Sequence, residues 1–352
     1  MAAITNITWK TVVRPMRTTF ATSLGSKTCA TSVIVTLCCE DGSVGVGEVP
    51  TSFVLPHETA EAITGVLAEA RPMMCGKSIQ RWASLAGQVR RQFPRFHMTA
   101  SGLEAALFRA WLASQGKSEL QFWGGKTNTL QTDITIPFVP DIKALEPWIL
   151  RAIRTGFTTY KVKVSGKVKT DLDFCRAVYG YLNDSGKPFV VRLDGNQGFS
   201  AKSALDLLNR LGRTGLEVEL FEQPLVRDDY AGLKTLTKHA AVPIIADETV
   251  FCEDDCKRVI DRRLADGVNI KIAKSGIAES RKIYRLAKQA GLKLMLGCMT
   301  ETMVGLSAAI NFAAGTGGFE YIDLDSVHFL RRRDAFGDIE VDGCVYHLGG
   351  KR

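Results

Sequence analysis

Between residues 134 and 325 one unit recurs about every 24 to 31 residues: a short apolar or β-branched strand, then an amphipathic helix. The strand segments are 134–136, 161–164, 189–194, 218–222, 243–247, 267–272, 293–296 and 320–325. Eight such strands with helices between them specify a parallel sheet covered by helices, and the spacing suits a closed (β/α) barrel. A doubly wound open sheet would want a Gly-rich dinucleotide fingerprint after its first strand. None stands there.

The residues before the repeat obey a different grammar. Segments 4–14, 32–39 and 44–48 alternate as strands, and Asp41-Gly42 marks a hairpin turn. A Thr/Ser/Gly-rich stretch, 17–31, is expected as a loop. Helices are expected over 59–74 and 101–114. This is an α+β domain over 1–125, leaving 126–326 for the barrel and 327–352 as a tail too short to fold alone. Composition excludes several functions. The chain has 352 residues and a net charge of +8, but its basic residues are scattered apart from Arg331 to Arg333. That predicts no nucleic-acid partner. No apolar run approaches the ~20 residues of a bilayer span. The first ten residues lack a basic segment followed by an apolar core, and nine cysteines without repeated spacing read as reduced thiols. A cytoplasmic protein is the expectation.

In such barrels chemistry sits at the C-terminal strand ends. The second strand carries Lys161 and Lys163 on one face. Asp194, Glu222 and Asp247 end the next three strands. Adjacent strands lie about 4.8 Å apart, so three carboxylates can converge. They repel one another unless a cation intervenes, and hard oxygen donors suit Mg²⁺. Lys271 ends the sixth strand, nearly opposite the second. Lysines near a cation lose basicity and can serve as general bases. Two bases across one carbon can remove a proton from one face and return it to the other.

The segments Lys-Val-Lys (161–163), Asp-Gly-Asn-Gln (194–197), Glu-Gln-Pro (222–224), Ala-Asp-Glu (246–248) and Asn-Ile-Lys (269–271) stand in this order. Together they resemble the muconate-lactonizing subgroup of the enolase superfamily, whose sites pair a Lys base with Mg²⁺. The resemblance spans the whole chain. It implies a modified TIM barrel of (β/α)7β type, an N-terminal capping domain, and a C-terminal segment returning to that cap. It implies Asp194, Glu222 and Asp247 as metal ligands, Lys163 and Lys271 as the acid/base pair, and Lys161 as support for the substrate carboxylate.

Asp323-Leu324-Asp325 is similar to the Asp-x-Asp of dipeptide epimerases, where the pair holds the substrate ammonium. A buried cation needs such carboxylates. The resemblance therefore implies a Mg²⁺-dependent epimerase moving a proton at the C-terminal Cα of a dipeptide through an enediolate. Cys298, Thr300 and Thr135 are expected beside the dipeptide. Phe20 and Phe53, on the capping loops, are expected over it. Alanyl-glutamate epimerases of the family use an Arg in the first loop. Leu24-Gly25 stands at that place here, with Lys27 and Arg17 as substitutes, while apolar Phe53 and its neighbours favour a hydrophobic side chain. A muconate cycloisomerase, an N-acylamino acid racemase and an o-succinylbenzoate synthase share the machinery. A non-catalytic binding barrel is the alternative of another class. The sequence leaves homo-oligomerisation open.

Overall fold

The protein is described from a computed structural model covering residues 2–349. Residue 1 and residues 350–352, which the expected outer domain limits include, lie outside the described residues. Three antiparallel strands open the chain: β1 (Ile4–Thr22), β2 (Gly25–Cys39) and β3 (Val44–Pro50). Helices α1 (Ala60–Met74), α2 (Trp82–Gln92), α3 (His97–Ser114) and α4 (Glu119–Trp123) follow. The stretch expected as a loop is instead the far half of a long β1–β2 hairpin. Its Thr- and Phe-bearing positions alternate well enough to pair Phe20 with Lys27 and Thr22 with Gly25. The ladder shifts register twice, near its start between Ile4↔Cys39 and Asn6↔Cys38, and again between Pro15↔Cys29 and Phe20↔Lys27. There Pro15 has no N–H to give, and buried Met16 turns aside to bridge Leu330.

The short strand β4 (Thr129–Gln131) leads into the repeat. The order is β5 (Ile134–Ile136), α5 (Glu146–Thr155), β6 (Thr159–Lys163), α6 (Val168–Asp184), β7 (Val190–Asp194), α7 (Ala201–Arg213), β8 (Phe221–Glu222) and α8 (Tyr230–His239). It continues with β9 (Ile244–Ala246), α9 (Glu253–Arg262), β10 (Gly267–Ile270), α10 (Ile272–Gln289), β11 (Lys293–Gly297), α11 (Met303–Thr316) and β12 (Tyr321–Asp323). All eight expected strands are present, in one parallel sheet running in order from β5 to β12 with seven helices between. The fold is the modified TIM barrel with an N-terminal capping domain.

Its last seam has no strand ladder. It closes through Asp133 N to Ile322 O (3.2 Å), Leu324 N to Thr132 Oγ1 (2.8 Å) and Thr135 N to Asp325 Oδ2 (2.6 Å). A large apolar layer lies between the strands and their helices. Inside the ring the apolar filling is small: Leu220, Ile245, Met295 and Tyr321. Polar side chains occupy the mouth above it.

Two features join cap to barrel. Helix α3 lies against both β3 and α10. A Cβ on Gly47 would sit 1.9 Å from Gly102 O, so β3 and α3 meet backbone to backbone. The tail begins with the single turn α12 (Ser326–Phe329). It then runs beside β1, where Arg331 N donates to Pro15 O (2.9 Å) and Arg14 pairs with Asp334 (2.5 Å). The strand β13 (Ile339–Asp342) pairs with β14 (Val345–Leu348), and β14 pairs with β4. Among the described residues no helix is long and apolar enough to cross a membrane.

Candidate active site

Parallel register aligns the charged residues. Lys163 stands beside Asp194, and Asp194 beside Glu222, as partners on β6, β7 and β8. Lys161 lies two residues lower on β6 and so faces the same interior. Strand β10 is four positions from β6 in an eight-stranded ring, so Lys271, just beyond β10, enters the mouth from the far side. Tight turns aim the carboxylates. A Cβ on Gly195 would lie 2.6 Å from Pro224 Cα, and Asn196, Gln197 and Gln223 adopt left-handed backbone. The Gln223 side chain fixes the next strand end, its Oε1 accepting from Asp247 N (2.8 Å) and Thr249 N (3.1 Å).

The charges interlock. Lys163 Nζ binds Asp194 Oδ2 at 2.5 Å. Lys161 Nζ binds Asp323 Oδ2, with Glu222 Oε2 at 3.1 Å and Asp194 Oδ2 at 3.6 Å. Lys271 Nζ meets Asp247 Oδ2 at 2.7 Å and Glu222 Oε1 at 3.9 Å. Asn269 Nδ2 donates to Glu222 Oε1 at 2.6 Å. All these groups are buried. Burial opposes the charge of Lys161, yet Asp323, Glu222 and Asp194 outweigh it and hold its pKa well above the ordinary value. Lys271 is likewise raised, burial being overcome by Asp247 and Glu222. These upward shifts are the effect of the carboxylates alone; a cation held by Asp194, Glu222 and Asp247 would neutralise them and act in the opposite sense, the one expected from the sequence.

The donor set fits a hard divalent cation. Glu222 is pushed up to about 7 by burial and by Asp194. Glu248, next to Asp247, is pushed up to about 8 by burial and Asp247. These buried carboxyls crowd one another, and among the described residues Glu248 Oε2 and Asn196 Oδ1 have no hydrogen-bond partner. Oxygen-only donors at the ends of three neighbouring strands are the chemistry Mg²⁺ prefers. A second carboxylate group lies across the mouth, where Asp133, Asp323 and Asp325 bring oxygens within 4.8 Å of one another.

A cleft joins the two. Its wall includes Lys161, Lys163, Lys271, Asp247, Asp323 and Asp325. Thr135, Cys298, Thr300, Phe20 and Phe53 also line it. Asp194 and Glu222 lie beneath the lysines, fully buried. Cys298 Sγ is 3.9 Å from Asp325 Oδ1, and burial with Asp325 pushes this thiol well up. Phe20 packs edge-on against Phe329 and lies 5.8 Å from the Lys163 ammonium. Of the two cations offered as loop substitutes, Lys27 lines the cleft. It bonds Thr300 Oγ1 and Thr51 O (3.2 Å), with the Phe53 ring at 5.6 Å. Arg17 lies outside the cleft, with its guanidinium on Arg331 O (3.1 Å).

Sequence reasoning passed over Lys274, whose ammonium binds Asp247 Oδ1 at 2.5 Å. The reading ran the sixth strand to 272 and began the helix at 277. The strand stops at Ile270 instead, and one helical turn precedes a break at Gly276 (φ 77°). That turn points Lys274 inward. Asn196, Glu248, Met299, Ser326 and Phe329 also line the cleft. Asn196 and Glu248 each stand one or two residues from a carboxylate already singled out, and that spacing was the available signal.

Residues 146–348 match the enolase C-terminal domain-like family. Residues 4–120 match the N-terminal domain of the mandelate racemase/muconate lactonizing enzymes. The chain belongs to the enolase superfamily. Within it the chain is 32% identical over 339 residues to the L-Ala-D/L-Glu epimerase of Bacillus subtilis, covering 96% of this chain and 92% of that one. A substrate-liganded structure of that epimerase superposes with a TM-score of 0.92 at 31% identity, covering 99% and 97% of the two chains. A dipeptide epimerase from Enterococcus faecalis, complexed with Mg and L-Leu-L-Tyr, gives 0.88 at 27% identity, covering 99% and 98%. As a member of this group of superfamily enzymes the chain is an isomerase.

Proposed function

We propose that this enolase-superfamily isomerase is a Mg²⁺-dependent dipeptide epimerase, inverting the Cα of the C-terminal residue. The observation that carries the reading is the pair Lys163 and Lys271, reaching one cleft from strands four apart in the ring. Asp194, Glu222 and Asp247 would hold the cation, which supplies charge to neutralise the substrate carboxylate and the negative charge developing there. Relatives complexed with Mg and dipeptides support that assignment.

The chain's own residues do the rest. Lys161, two residues below Lys163 and held cationic by Asp323 and Glu222, adds positive charge beneath the substrate carboxylate. One lysine takes the α-proton while the other delivers a proton to the opposite face. Asp323 and Asp325 receive the substrate ammonium, across the mouth from the carboxylates assigned to the cation. N-acylated or muconate-like substrates lack that ammonium, so the pair favours dipeptides over them.

Lys27 sharpens the substrate class. Among the described residues no carboxylate pairs with it, and burial pushes it down to about 8. An ammonium held by a hydroxyl, a carbonyl and a ring has capacity for an anion. This favours an acidic side chain on the epimerised residue, with Phe53 packing over its methylenes.

The test is a dipeptide library in D₂O with Mg²⁺, followed by mass spectrometry and chiral analysis. Deuterium is expected at one α-carbon together with inversion, and chelation abolishes both. No exchange into any member sinks the proposal. Retained turnover of N-acylamino acids in an Asp323→Ala, Asp325→Ala double variant, with no wild-type dipeptide activity, would move the enzyme to the racemase branch.

A further inference from the structure

Asp133 lies behind the Asp323–Asp325 pair and outside the cleft wall. It is 2% exposed and stands just before β5, on the seam where the sheet closes against β12. The three carboxylates share a pattern. Each has one oxygen tied to the scaffold. Asp133 Oδ2 accepts from Arg192 (2.8 Å), Asp323 Oδ2 from Lys161, and Asp325 Oδ2 from Thr135 N (2.6 Å). Among the described residues the other oxygen of Asp133 and of Asp323 has no partner, and Asp325 Oδ1 has only the weak Cys298 thiol at 3.9 Å.

The cations touching this group are already shared. Arg192 also binds Glu219 (2.6 Å), and Lys161 also faces Glu222 (3.1 Å). Three buried carboxylates with their second oxygens unmatched, and no cation of their own, form a site short of positive charge. Two carboxylates would suffice to grip one ammonium. The third raises the local potential and repels its neighbours until a cation arrives. Burial and Asp323 accordingly push the Asp133 carboxyl well above the usual range. Crowded like charges of this kind are unfavourable for folding and are relieved by a cationic ligand.

We propose that Asp133 is a positioning residue of the amine subsite, acting through Asp323 to make the cleft select a cationic over a neutral substrate terminus. This rests on the dipeptide-epimerase reading. Its ligand class is a primary ammonium on the residue preceding the reacting one. Asp133 does not touch the substrate. It sets the field in which Asp323 and Asp325 work.

The experiment compares two ligands by calorimetry on the full chain with Mg²⁺. One is an L-Ala-X dipeptide, X being the residue the wild type turns over fastest. The other is N-propionyl-X, the same molecule without its amine. Wild type is expected to prefer the dipeptide strongly. Asp133→Asn is expected to reduce that preference about tenfold by weakening dipeptide binding alone, and Asp133→Glu to restore part of it. Asp133→Ser, smaller and still able to bond Arg192, gives the same reading should the amide not fold. An unchanged preference overturns the proposal. So does equal weakening of both ligands, which marks a purely structural role. A wild type that binds neither ligand sinks the epimerase reading and the Asp133 role with it.

Discussion

The floor and the roof of the cleft are built on opposite plans. On the floor each of Lys161, Lys163 and Lys271 is buried against a carboxylate of another strand end. On the roof Phe20, Leu24 and Phe53 stand with a single ammonium, Lys27, and no acid beside it among the described residues. Leu24 is 41% exposed. The floor is fixed by barrel register, where a one-residue slip would reverse every inward side chain. Phe20, Leu24 and Lys27 belong to a hairpin whose ladder is interrupted between Pro15 and Phe20, and Phe53 to the loop after β3. Reaction chemistry is therefore rigidly specified, while substrate choice rests on the part of the molecule freest to vary.

Removing a floor lysine should break the comparison most sharply. Lys163→Ala or Lys271→Ala is expected to lower kcat about 10³-fold or more, since general bases contribute roughly 10²–10⁴. Each variant should still exchange the α-proton of the one epimer that faces its remaining lysine. Loss of exchange from both epimers, or from neither, would rule out opposed bases. Next in size is the amine grip. Asp325→Asn should raise KM for free dipeptides about thirtyfold with kcat little altered, because a charge-assisted contact becomes neutral. Steady-state kinetics on two dipeptides decides it.

Roof changes should be smaller and selective. Lys27→Met is expected to cost about tenfold in kcat/KM for acidic second residues and less than about twofold for apolar ones. Equal losses on both would make Lys27 a structural tie between the cap and Thr300. The smallest effect is one of pH. Lys27 is pushed down to about 8 by burial, so its ammonium is present below that pH and lost as pH rises through it. The acidic-to-apolar ratio of kcat/KM should fall a fewfold between pH 7 and pH 9. Taking the ratio cancels titration of the substrate amine, whose own pKa lies near 8.

The same division governs what could be read from the chain. Lys163, Asp194 and Glu222 were visible because period-two alternation and strand-end placement fix both face and height. Lys274 was not, since Gly276 adds a break that makes a separate helical turn of 272–275, and no hydrophobic period survives over four residues. The hairpin tip was hidden for a related reason. Thr, Ser and Gly are turn residues by habit, and only pairing with a partner strand turns 17–31 into β structure. Helix α2 was missed because only Leu85, Ala86 and Val89 of its face are buried, too short a stripe to stand out among charged neighbours. Asp133 precedes a strand of three residues, too brief to tell which way its side chain turns.

The backbone contact of Gly47 with Gly102 has a kinetic consequence. A helix that touches β3 at main-chain distance on one side and α10 on the other leaves the cap no room to swing as a body. The outer hairpin, beyond its break near Pro15, is the expected route for ligand traffic. That arm is held by several contacts, among them Ser23 Oγ on Asn196 O (2.7 Å), Arg17 on Arg331 O (3.1 Å) and Lys27 on Thr300 Oγ1. The tie at Lys27 uses the same ammonium that the proposed function assigns to the substrate's acidic side chain. On the proposed function, arrival of an acidic side chain would compete with this tie, so the ligand that fits the roof would also loosen the arm beside it.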